Sequence, residues 1–104
     1  MSEVHAPYVA ISEIVSPAIG ADTLIEAFRH RLHKVDVFQG FLGLEVLQDC
    51  RAPHRFLMIT RWRAKSDFIR YMRSVEHRES HARIPRGSLR PRPAGFSEYE
   101  LVAT

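Results

Sequence analysis

The stretch "GFLGLEVLQDCRAPHRFLMITRW", residues 40–62, decides the fold. It holds two runs of aliphatic and aromatic side chains, 40–49 and 55–62, separated by the short turn "CRAPH". Proline and polar residues interrupt the apolar pattern there, so the two runs read as antiparallel strands of one hairpin. Strict alternation puts Leu42, Leu44 and Val46 on one face of the first strand, and Phe41, Gly43, Glu45 and Leu47 on the other. In the second strand Phe56, Met58, Thr60 and Trp62 oppose Leu57 and Ile59. Neither face is cleanly polar, whereas an open antiparallel sheet in a monomer shows water one wet side. Two apolar faces call for helices on one side and a second subunit or a ligand cavity on the other.

Upstream of the hairpin, "PYVAISEIV" (7–15) is β-branched and apolar and reads as a first strand. A helix is expected from Ala21 or Asp22 to about residue 37, because Leu24, Ile25, Phe28, Leu32 and Val35 recur at helical spacing. Gly40 closes the turn that follows. Downstream, "KSDFIRYMRS" (65–74) predicts a helix with Phe68, Ile69 and Met72 available for packing, and "VEHRESHARI" (75–84) extends or restarts it. Pro85 ends any helix, "PRGSLRPRPAG" reads as a loop, and "FSEYELVA" (96–103) as a last strand. The order β-α-β-β-α-β is that of a ferredoxin-like α+β domain. One domain is expected over residues 1–104, with its core at about 8–102.

At 104 residues the chain suffices for one packed core, and 45 % apolar composition can fill it. No stretch approaches the length of apolar sequence that a membrane span needs. The start "MSEVHAPYVAI" lacks the pattern of a secretion signal, and Cys50 has no internal disulfide partner, so a cytoplasmic protein is expected. The net charge of +3 conceals an asymmetry: residues 1–50 carry three basic and seven acidic side chains, residues 51–92 twelve and three. Such a field draws anions. Nucleic acid is not the expected anion, because aromatics are not interleaved with Arg83, Arg86, Arg90 and Arg92, as a stacking platform requires. Those arginines can instead pair with carboxylates of a small ligand, or form a solvated surface loop.

His77 and His81, four residues apart, project from one face if both are helical. Neutral imidazoles are natural ligands for haem iron or a divalent metal. "HRESH" is not the HExxH of zinc hydrolases, and no third ligand lies nearby in sequence. Trp62 can wall a flat pocket or plug the core, and Tyr71 offers a ring for stacking and a hydroxyl. There is no nucleophile elbow, phosphate loop or dinucleotide fingerprint. Any redox chemistry therefore comes from a bound cofactor or from a substrate that reacts with oxygen itself.

Taken together, "GFLGLEVL", "FLMITRW", "DFIRYMRS" and "EHRESH", in this order, resemble the antibiotic-biosynthesis-monooxygenase superfamily over about residues 8–102. The resemblance implies homodimers of ferredoxin-like subunits whose sheets pack together as a dimeric α+β barrel. One branch resembles bacterial haem-degrading monooxygenases, and His81 falls at the position of the haem-iron ligand. A first-strand Asn and a helix Trp also shape that branch's pocket, and this chain has Ser12 and Tyr71 there. The implied site is therefore Ser12, Trp62 and Tyr71 around the substrate, with His81, His77, Arg83 and Arg86 binding the cofactor, and an external electron donor. A second branch oxidises polycyclic phenols to quinones without a cofactor. A third possibility is a non-catalytic dimeric accessory protein.

Overall fold

The computed structural model describes residues 7–104, so the start of the segment read for a secretion signal lies outside the described residues. Four strands, β1 (Tyr8–Val15), β2 (Phe41–Gln48), β3 (Arg55–Trp62) and β4 (Arg92–Glu100), form one antiparallel sheet in the order β2-β3-β1-β4. Three α-helices join them: α1 (Ala21–Arg29), α2 (Lys65–Met72) and α3 (Val75–His81). This is the ferredoxin-like α+β architecture expected from the sequence.

The face bearing Tyr8, Ala10 and Trp62 carries the core. Tyr8, Ala10, Val35, Trp62 and Tyr71 are buried together, with Phe38, Phe41, Leu44 and Phe68 packed on them. Trp62 has no exposed surface, and its ring meets Phe41, Phe68 and Tyr71 at 5.4, 5.9 and 5.5 Å between centroids. Its indole N–H is buried without a hydrogen-bond partner, so the aromatic contacts must offset that desolvation.

The other face stays apolar without a cover. Register pairs Ile11 with Ile59 and Leu57 with Leu47, while Val9 faces Tyr99 across the β1–β4 pair. Leu47 and Tyr99 are exposed at 48 % and 55 %. Ion pairs Glu13–Arg55 and Glu45–Arg61 frame this surface.

Four details differ from the sequence reading. The first helix stops at Arg29 rather than about residue 37. His33 takes a left-handed conformation (φ 60°), and a 3-10 turn (Lys34–Val37) follows. Val35 still reaches the core, but from that turn, and Leu32 is exposed. The alternation assigned to β2 breaks at its start, where a register irregularity between Phe41 and Gly43 puts Phe41 on the same side as Leu44. Met72, expected in the packing, is 44 % exposed. Finally, β4 begins at Arg92 inside the expected loop, because Pro93 is tolerated on an edge strand, beside a register shift at Glu13/Ile14. Gly40 closes its turn as expected: its φ is +84°, and a side chain there would collide with the Asp67 carboxylate.

Candidate functional site

The candidate site begins at a break between two helices. Ser74 ends α2 by donating its hydroxyl to the Tyr71 carbonyl (2.6 Å), and starts α3 by accepting the His77 backbone N–H (3.1 Å). One side chain thus serves both ends, the second as an N-cap of the kind serine favours. The cap sets the direction of α3 and places His77 and His81 one turn apart on the same face, as their spacing predicts. Their ring centroids are 5.7 Å apart.

His77 is half-buried and meets the Tyr71 ring edge-on at 5.2 Å. Burial pushes its pKa down, helped by the neighbouring His81, while a hydrogen bond to the Met72 backbone opposes the shift. The shift favours the neutral ring. His81 is exposed. Together with Arg78, Ala82 and Arg86 the two histidines line a recess of about 260 Å³. A larger groove of about 660 Å³ runs outside the α2–α3 joint between Phe38, Ile69, Arg73 and Val75, but it contains no imidazole.

The recess gathers His77, His81 and Arg86 from the residues singled out in the sequence. Arg83 is directed elsewhere: its guanidinium donates to the His30 carbonyl (3.3 Å) and ties α3's end to the C-terminus of α1. Trp62 does not wall the recess. It is core, because the contacts that fix the end of β3 enclose it on every side. Tyr71 touches His77 from the buried side, packs against Phe38 at 5.2 Å, and has its pKa raised by burial, partly opposed by a hydrogen bond with Ser80. Ser12 is half-buried in mid-sheet opposite Met58 and Phe96, on the helix-bearing face but not among the recess residues. Two contributors were not singled out beforehand. Arg78 stands three residues before His81 and four before Ala82, a helical spacing that could have marked it. Ser74 lies two residues past the end of α2 and caps α3, a serine cap signal that would have decided for a restart where the sequence reading left the second helix free to extend or restart.

Among the described residues no cluster of three or more histidine, cysteine or acidic side chains converges on one point. No helix there is long and apolar enough to cross a membrane.

Comparison with known proteins places this architecture. Residues 7–83 match the antibiotic biosynthesis monooxygenase family model. The chain belongs to that family. A heme oxygenase (mycobilin-producing) of Mycobacterium tuberculosis is 34 % identical over 62 residues, 60 % of this chain and 59 % of the relative. A heme-degrading monooxygenase of Halalkalibacterium halodurans is 36 % identical over 64 residues, 60 % of this chain and 54 % of that protein. The match thus spans little more than half the length of these relatives. Among solved structures, the M. tuberculosis heme-degrader MhuD, with two hemes bound in its active site, superposes with a TM-score of 0.72 at 27 % identity, covering 93 % of this chain and 97 % of that one. A Bordetella bronchiseptica structure bearing the same family name shares the fold with a TM-score of 0.81 at 13 % identity, over 95 % and 100 % of the two chains.

Proposed function

We propose that this chain is a haem-binding member of the family, acting with oxygen and an external electron donor, and that His81 supplies the imidazole for the iron. The observation that carries this reading is the recess itself: an exposed imidazole flanked by two guanidinium groups, those of Arg78 and Arg86. That donor set fits the group. A neutral imidazole ligates iron, and arginine pairs with the carboxylates of a porphyrin. Bound haem would supply the redox chemistry that no side chain of the site offers.

The chain's own residues would do the positioning. Arg78 and Arg86 would hold the carboxylate edge, while His77 lies beside His81, braced by Tyr71. Tyr71, with its pKa raised by burial, stays a neutral phenol at physiological pH and serves as the wall behind His77. At about 260 Å³ the recess is smaller than the roughly 300 Å³ at which ligand pockets begin, so a macrocycle would remain partly outside it.

A haem titration followed in the Soret region, with the unmodified chain beside His81→Ala, tests this. A saturable shift near one haem per chain, lost or at least about tenfold weaker in the variant, is expected. Identical featureless titrations would discard it and turn attention to phenolic ligands or a purely accessory role.

We also propose that the uncovered sheet face, bearing Val9, Ile11, Leu57 and Ile59, packs against a second copy. Two of its exposed side chains are Leu47 and Tyr99, an apolar surface that water solvates poorly. Ile59→Asp is expected to convert a dimer in sedimentation equilibrium into a monomer. A monomer in the unmodified chain would refute the pairing.

A further inference from the structure

The two imidazoles also form a unit that does not require a porphyrin. An ion bonded to two imidazole nitrogens at about 2.0–2.1 Å in tetrahedral geometry holds the ring centroids about 5–6 Å apart. His77 and His81 stand at 5.7 Å, within that range, and a tetragonal ion such as copper(II) would draw the rings closer by rotation of the exposed His81 side chain. His77 is half-buried, so its ring is the more confined of the two. The Ser74 cap and the edge contact with Tyr71 hold the same ring in place. His81 lies on the exposed side, open to an arriving ion.

We propose that His77 and His81 chelate one divalent transition-metal ion, copper(II) more tightly than nickel or zinc, with solvent or a small anion completing the coordination. The absence of a third converging ligand among the described residues makes this an exchangeable site rather than a structural one. Arg78 and Arg86 line the same recess. Their charge weakens the attraction for a bare cation and favours an anion, such as chloride or a carboxylate, in the remaining positions. Because His81 is the imidazole assigned to haem above, the ion and haem would exclude each other; the chelate itself does not depend on that assignment.

The test is calorimetric titration of the haem-free full chain with copper(II), nickel(II) and zinc(II). It is repeated with His81→Ala, with His77→Phe, which keeps a ring against Tyr71, and with both together. The expected result is one ion per chain, in the affinity order of the Irving–Williams series, and at least about tenfold weaker in each single variant. Electron paramagnetic resonance of the copper form should show coupling to two imidazole nitrogens, falling to one in His81→Ala. That exposed substitution leaves the core untouched, so the test survives even if His77→Phe folds poorly. Unchanged affinity in His81→Ala, full affinity in the double variant (which would place the ion on other histidines), or no binding up to about 1 mM metal would overturn the proposal. Haem titration of the same preparations separates the two assignments, since either ligand can fail while the other binds.

Discussion

Trp62 and His81 stand at opposite ends of one run of rings and answer to different constraints. From Trp62 to Tyr71, Tyr71 to His77 and His77 to His81 the centroids are 5.5, 5.2 and 5.7 Å apart, so contact is continuous from core to surface. Exposure is not continuous: Trp62 has none, Tyr71 is buried, His77 is half-buried and His81 is exposed. At the inner end, shape complementarity decides what is tolerated, because close-packed surroundings feel the loss of any atom. At the outer end little is packed, and the side chain is available to a ligand. A residue type suited to chemistry therefore says less than its position along that gradient.

The largest effect should come from breaking the inner end. Trp62→Ala is expected to cost about 3–5 kcal/mol in urea denaturation, against less than about 0.5 kcal/mol for His81→Ala. Trp62→Phe should fall well below the alanine value, since it keeps a ring and removes the unpartnered indole N–H. Comparable losses at Trp62 and His81 would erase the contrast.

The joint between the two ends is the next target. Ser74→Ala removes the α3 cap and should cost about 1 kcal/mol. Its more telling consequence is a change in the environment of both imidazoles, read from histidine ring resonances. Unshifted resonances would mean that α3 is aimed by its packing alone.

The smallest effect is electrostatic and lies beside the core. The hydrogen bond from Arg31 (2.7 Å) lowers the pKa of Asp36, and His33 adds to it. A carboxylate depressed in the folded state stabilises it above the unfolded pKa, and that contribution is lost as pH falls through the folded pKa. Asp36→Asn should therefore flatten the acid side of the stability–pH curve, by less than about 1 kcal/mol for so accessible a pair. Superimposable curves would show that the pair contributes nothing.

Much of the architecture was legible because it rests on local periodicity. Residues 55–62 form β3 to the residue, and β1 differs from its expected span by one position. Where periodicity misled, a backbone irregularity intervened. Leu32 and Val35 continue a helical spacing that His33 interrupts, and the register shift after Phe41 moves that ring to the core side of β2. The second had a signal in Gly43, since an isolated glycine inside a strand often marks a bulge, whereas His33 carries none as strong.

The sequence by itself determined the order of elements, the family resemblance, and the shared face of His77 and His81, since each follows from spacing along one chain. Only the tertiary structure decided which candidates remain accessible. It sealed Trp62 behind Phe41, Phe68 and Tyr71, drew Arg83 away to the end of α1, and left His81 open beside Arg78 and Arg86. Exposure depends on residues distant in sequence that fold over a side chain, and no local pattern encodes which side chains they will cover.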